Sequence, residues 1–220
     1  MKMKTFISWS GGKDTALACY RMMKNENKEI AHLLNMISEN GTHSRSHGLE
    51  VKLLQSQAKS MGIPITQIKA TWQSYEDEFK KALADFKNND INEGVFGDID
   101  LQPHRDWVER VCKESRITPF LPLWNDNRED LLNEFIDVGF KAIVVAVNRD
   151  YLGEEWLGRE INSDFINDLK NLSNVDLCGE NGEYHTFVYD GPFFQEPVTF
   201  SAGEKISQEK HYFLELSCEE

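Results

Sequence analysis

No two of the four cysteines (Cys19, Cys112, Cys178, Cys218) are spaced as a CxxC pair. That excludes the common zinc and iron–sulfur spacings and leaves no disulfide framework. No apolar run reaches the roughly 18 residues that a membrane helix needs. Met1-Lys2-Met3-Lys4 leads directly into a strand-like segment rather than the apolar core of a signal peptide. Cations are scarce: 24 Lys and Arg stand against 37 Asp and Glu, a formal net charge of −13. The clustered positive charge of a general nucleic-acid binder is therefore missing. What is present is 40% hydrophobic and 11% aromatic residues in a chain of 220. That is enough to fill the core of one ordinary domain or two small ones, and it argues against disorder. The expectation is an acidic cytoplasmic protein that partners neither nucleic acid nor membrane.

Periodicity alternates between strand and helix. Thr5–Trp9 is a short β-prone run, and from Asp14 the chain turns helical with Leu17, Tyr20 and Met23 at spacings of three. Ile30–Ile37 is a continuous apolar run of buried-strand length. Residues 48–61 carry one apolar helical stripe closed by Gly62-Ile63-Pro64. Ile65–Ala70 reads as a strand, Tyr75–Phe86 as a helix and Gly94–Ile99 as a strand ending in a turn. Pro103 opens the next helix. Arg128–Val138 (helix) and Lys141–Val147 (strand) continue the pattern, and a helix follows around Asn162–Leu172. Beyond Cys178 only strand and turn signals remain, through Thr186–Tyr189 and His211–Leu216. The rhythm predicts an α/β fold with a mostly parallel sheet and a soft boundary near residue 125.

The sharpest local feature is Ser10-Gly11-Gly12-Lys13-Asp14-Thr15, where the first strand hands over to the first helix. Two glycines let successive N–H groups converge on an anion, and the helix start adds unpaired donors and a positive dipole end. Ser10 and Thr15 add hydroxyls, Lys13 a cation, and Asp14 a carboxylate of the sort that holds Mg²⁺. A Walker A loop would need Gly where Ile7 stands and Ser or Thr where Asp14 stands; the G-x-G-x-x-G fingerprint and the G-x-S-x-G elbow are also absent. What remains resembles the pyrophosphate loop, SGGxDS/T, of the ATP pyrophosphatases that include the synthetases for GMP, NAD, asparagine and argininosuccinate. That resemblance implies that the loop grips the β- and γ-phosphates of ATP while a nucleophile attacks the α-phosphorus. It places adenine at Asn35-Met36-Ile37, although Met36 reads equally well as core.

A second unusual stretch is Cys178-Gly179-Glu180-Asn181-Gly182-Glu183-Tyr184-His185-Thr186. Its two acids flank Asn-Gly, a tight turn that either presents carboxylates for catalysis or forms a plain hairpin. SGGKDT, Gly97-Asp98-Ile99, this element and Asp190-Gly191-Pro192, in that order, resemble the diphthine–ammonia ligase-like family of ATP pyrophosphatases. Arg105-x-Trp107, Pro122-Leu123-Trp124 and Trp156-Leu157-Gly158 extend the resemblance along nearly the whole chain. It implies a HUP-type (Rossmann-like) nucleotide-binding domain, 1–124, followed by a smaller α+β substrate domain, 125–220. It also implies an amidation in which ATP activates a carboxylate, that of diphthine on elongation factor two, and ammonia then displaces AMP. Under this reading Ser10, Gly11, Gly12, Lys13, Asp14 and Thr15 hold the phosphates, with Asp14 on Mg²⁺. Lys13 also acts in catalysis, Asp98 faces the ligand crevice, Glu180 and Glu183 position ammonia or take its proton, and Asn181 polarises the acyl oxygen. One position departs: His185 stands where enzymes of established diphthamide activity more often carry Glu, as in the bacterial branch of the family. The reaction type carries over, and the acceptor stays open.

The alternatives are a bacterial-type enzyme adenylating a different small carboxylate, and a nucleotide sensor without chemistry, which would not need the Glu180/Glu183 turn. No glutaminase domain fits this length, so ammonia arrives free or from a partner; a homo-oligomer is compatible with the sequence. His43 and His47 have metal-ligand spacing but no third ligand, which favours a solvated loop. His104 beside Arg105 reads as a phosphate contact or a surface pair. Cys178 lacks the paired reactive cysteine of RNA-thiolating enzymes. Between Asp150 and Asp190 ten acids face two bases, a solvated face or a lure for a cationic acceptor held by Tyr151, Trp156 and Tyr184.

Overall fold

The first strand, β1 (Met3–Ser8), buries Phe6 and Ile7 on opposite faces, as a strand covered by helices on both sides must. It is followed by α1 (Lys13–Met23), β2 (Lys28–Ile37), α2 (Val51–Met61), β3 (Ile65–Lys69), α3 (Tyr75–Asn88), β4 (Ile91–Val95), α4 (Gln102–Ser115) and β5 (Thr118–Phe120). These belong to a computed structural model that describes residues 2–45 and 47–219. The five strands form one parallel sheet in the order β3-β2-β1-β4-β5. The remaining elements are α5 (Arg128–Asp137), β6 (Lys141–Asn148), a 3₁₀ turn at Glu154–Trp156, α6 (Ser163–Lys170), β7 (Tyr184–Asp190), β8 (Phe200–Gln208) and β9 (His211–Cys218). Their strands form a second, antiparallel sheet in the order β7-β6-β9-β8. The fold is α/β, a Rossmann-like parallel sheet joined to a smaller α+β part.

Local signals explain the helix ends. Gly62 takes a left-handed conformation to close α2 (φ +66°), and Pro103 sits in the first turn of α4. The Asn127 and Asn162 side chains accept N–H bonds from the first turns of α5 and α6.

Two apolar clusters fill the interior. One lies under α3 and α4, with Phe6, Phe79, Leu83, Phe86, Val108 and Val111. The other runs without a break from Ile7, Leu17 and Leu53 into Phe135, Val144 and Phe187 of the second half. The two sheets therefore share one core.

Three expectations change. The apolar run of β6 does not extend the parallel sheet; it pairs antiparallel with β7 and β9. A continuous apolar run reports burial on both faces, not the direction of the neighbours. The helix expected from residue 48 begins at Val51, because His43 bridges Glu50 and Ser44 bridges Ile37 in an irregular loop ahead of it. The strand expected to run to Ile99 ends at Val95, leaving Gly97 and Asp98 in the loop beyond it.

Candidate active site

In the order β3-β2-β1-β4-β5 the connections run outward in opposite directions from β1 and β4. A crevice opens beyond the carboxyl ends of those two strands, the place where open α/β sheets bind ligands. The Ser10–Thr15 segment leaves β1 at that point, and Gly97-Asp98 leaves β4.

The Ser10–Thr15 loop is braced from behind. The Gly11 carbonyl accepts the Val188 N–H (2.9 Å) and the Gln57 side-chain amide (3.0 Å). Buried Gln57 also donates to the Val188 carbonyl (2.6 Å) and accepts the Trp9 indole N–H (2.8 Å). The Thr186 hydroxyl accepts the Lys13 N–H (3.0 Å). The exposed edge of β7 is thus covered by the loop, which also manages an otherwise open sheet edge. The two glycines differ. Gly11 occupies the left-handed region (φ +84°), whereas Gly12, the residue before α1, is extended (φ −98°, ψ 177°). Ser10 Oγ lies 3.2 Å from Thr15 Oγ1 and accepts the Gly12 N–H at 3.3 Å.

Two cavities meet here. A cleft of about 470 Å³ is lined by Ser10, Asp14, Thr15, Met36, Trp72 and Asp98, among others. A smaller one of about 300 Å³ lies between the two halves, lined by Lys13, Asp14, Asp98, Glu180, Tyr184 and His185, among others. Asp14, His47, Gly97, Asp98 and His104 border both. Met36 serves both readings of it: it packs in the cluster under α3 and lines the larger cleft.

Lys13 turns towards the second half. Its ammonium bonds Asp14 (2.9 Å) and the Cys178 carbonyl, and lies 5.0 Å above the Tyr184 ring. Burial alone would lower its pKa. The Asp14 charge, followed by Tyr184 and Cys178, outweighs burial and holds it above the ordinary lysine value. Asp98 accepts from the His104 ring at 3.2 Å, and that contact raises the His104 pKa.

The two glutamates of the acidic turn part company. Glu183 is buried with its carboxylate turned inward, accepting the Asp176 N–H (3.0 Å), the Asn181 N–H (3.0 Å) and the Asn181 side-chain amide (3.1 Å). Neither Glu183 nor Asn181 lines the smaller cavity; Glu180 does. Burial first, then the charges of Asp14 and Asp98 against an opposing Lys13, push the Glu180 carboxyl up to about 7. That is a suitable value for moving protons near neutrality.

Two residues that organise the site, Asp176 and Gln57, carry no sequence signal strong enough to single them out. Buried Asp176 organises the turn by accepting the Cys178 N–H (2.8 Å) and the Glu180 N–H (3.1 Å), and it pairs with Arg128 (3.0 Å). Gln57 and Thr186 clamp the loop, and His47 sits against it. His43 and His47 do not share a helical face: His43 is exposed, and His47 turns inward. Arg105 pairs with Glu109 and covers Trp124 rather than entering the site. Burial pushes the Cys178 thiol up to about 12, which silences it as a nucleophile. Two of the three aromatics suggested for a cationic acceptor are taken, Tyr184 by Lys13 and Trp156 by Arg159 at 4.3 Å. No helix among the described residues is long and apolar enough to cross a membrane.

A family model of the diphthamide synthase N-terminal domain matches residues 3–119, and one of the C-terminal domain matches residues 127–218. The mouse protein named diphthine–ammonia ligase is 29% identical over 94% of this chain and 86% of its own length. The rat protein of that name is 29% identical over 90% of this chain and 82% of its own. A solved structure described as a predicted subunit of tRNA methyltransferase from Methanocaldococcus jannaschii aligns with a TM-score of 0.44 at 17% identity, covering 84% of this chain and 96% of that one.

Proposed function

The chain belongs to the diphthamide synthase family, and from that premise we propose that it is an ATP-dependent ligase that forms an amide from a carboxylate and ammonia, releasing AMP and pyrophosphate. The observation that carries this reading is the meeting of the braced phosphate loop and the acidic turn across one small cavity. Residues 1–124 hold the nucleotide and residues 125–220 the acceptor. The triphosphate lies on the N–H groups at the start of α1, with the adenosine end along the larger cleft towards Met36. Asp14 is partly exposed and borders both cavities. A carboxylate beside phosphates suits Mg²⁺, which would supply neutralisation of the polyphosphate charge.

The carboxylate of the acceptor attacks the α-phosphorus, and the bond to the bridging oxygen breaks with its electron pair retained by pyrophosphate. Lys13 and the loop N–H groups offset the charge that develops there. Ammonia then adds to the acyl carbon, AMP leaves, and Glu180 accepts the proton that the nitrogen must lose. Glu183, Asn181 and Asp176 position Glu180 by holding its turn. Diphthine is the acceptor implied by the relatives' names, and the family resemblance puts it on elongation factor two, in the cytoplasm. His185 leaves room for a different small carboxylate.

The test is incubation with ATP, Mg²⁺, ammonium and either diphthine-bearing elongation factor two or a panel of small carboxylates. AMP and pyrophosphate are expected in equal amounts; ADP would overturn attack at the α-phosphorus. Lys13→Met keeps the side-chain stem and is expected to abolish both products.

A further inference from the structure

Among the described residues, His47 alone borders all three of the cavities around the loop. It lines the nucleotide cleft, the smaller cavity between the halves, and a third space of about 620 Å³ between its own loop and β8–β9. Its position is fixed from two sides. Nδ1 lies 2.9 Å from the Thr186 carbonyl; a carbonyl only accepts, so Nδ1 carries the hydrogen and Nε2 is left to face a ligand. The His185 ring packs alongside at 4.7 Å between centroids.

The ring lies directly against the phosphate loop. A Cβ added to Gly12 would come within 2.2 Å of His47 Cε1. Gly12 has an extended backbone that any residue adopts, so this ring, not the backbone, is what demands glycine there. Thr186 therefore does two things at once: its hydroxyl caps the first turn of α1 and its carbonyl aims the imidazole over that turn.

We propose that His47 is a catalytic residue whose Nε2 donates to the polyphosphate, giving the departing pyrophosphate a cationic partner beside Lys13. The inference rests on the triphosphate lying in the loop. With Nδ1–H engaged by Thr186, Nε2 donates only once it too is protonated, so polyphosphate binding takes up a proton. The charged and titratable groups that share a cavity with His47 are Lys13 and Asp14 of α1, Asp98 and His104 beyond β4, Cys178 and Glu180 of the acidic turn, Tyr184 and His185 of β7, Tyr75 of α3, His43 and Glu50 of its own loop, and Glu215 of β9. Without a ligand, burial holds the imidazole below its ordinary value, against the Thr186 hydrogen bond and the Asp14 charge, with Lys13 acting in the same direction as burial. Its ring nitrogens form no ion pair among the described residues, so an incoming polyanion supplies the missing partner.

Calorimetric titration of the protein with inorganic pyrophosphate, α,β-methylene-ATP and AMP, each in two buffers of different ionisation enthalpy, tests this. Wild type is expected to take up close to one proton per pyrophosphate near pH 7.5. His47→Gln is expected to bind pyrophosphate and the ATP analogue roughly ten- to hundredfold more weakly, without the proton uptake and with AMP affinity unchanged. His185→Gln is expected to keep the uptake. Equal weakening for AMP and pyrophosphate, or unchanged proton uptake in His47→Gln, overturns the assignment; His47→Asn repeats the measurement should His47→Gln fail to fold. Failure of wild type to bind pyrophosphate at all would instead overturn the phosphate-loop reading on which this one stands.

Discussion

Glu180 and Glu183 are three residues apart in one turn, yet their surroundings give them opposite duties. The Glu180 carboxyl keeps its proton to about pH 7, whereas in the unfolded chain it is lost near the ordinary value of 4.5. Between those values the unfolded state has released a proton that the folded state retains, so this group costs stability as pH rises through the window. Glu180→Gln does not titrate. Its Tm relative to wild type is therefore expected to climb from about pH 5 to about pH 8, and a flat difference would contradict a raised Glu180 value. Amide formation in wild type is expected to rise with pH through about 7 and to lose that limb in the variant. Glu183→Gln replaces an oxygen that accepts N–H groups with an amide that donates, inside a buried turn. A loss of about 1–3 kcal/mol in urea unfolding is expected, with little effect on nucleotide affinity. A base exposed to the cavity would have shown the reverse pattern.

The parallel sheet has a polar bolt at the end opposite the site. Lys28 on β2 contacts both oxygens of Glu93 on β4 (2.6 and 2.7 Å), and the Thr5 hydroxyl of β1 donates to the same carboxylate at 2.9 Å. All three are buried. Glu93→Ala strands an ammonium in the interior and is expected to cost about 3–5 kcal/mol by denaturant titration, while Lys28→Met combined with Glu93→Leu recovers most of that loss. The same sheet shows why some elements are readable before others. β1 and α1 announce themselves because a strand, two glycines and a helix start are consecutive in sequence. The three-residue β5 and the exposed β8 lack the apolar run that marks a strand, and exist because β4 and β9 offer them a partner edge.

Across the whole molecule the large apolar cluster ignores the division into two sheets, and β7 is hydrogen-bonded to the Ser10–Thr15 loop. Separate melting of the halves would leave Ile7, Leu17 and Val144 without partners. Urea unfolding followed by tryptophan fluorescence and by far-UV circular dichroism is therefore expected to give one coincident transition. Two separated transitions would show that the shared core does not couple them.

By itself the sequence determined the alternation of strands and helices, the glycine-rich turn from β1 into α1 at Ser10–Thr15 and the presence of an acidic turn before β7. Each depends on residues adjacent in the chain, where backbone freedom and side-chain period act locally. Tertiary structure alone decided that Glu180 faces the cavity while Glu183 braces its turn, that β6 runs antiparallel, and that His47 lies over Gly12. Those outcomes depend on contacts between segments far apart in sequence, such as His47 with Thr186. Spacing along a chain does not report which distant atoms will share a hydrogen bond.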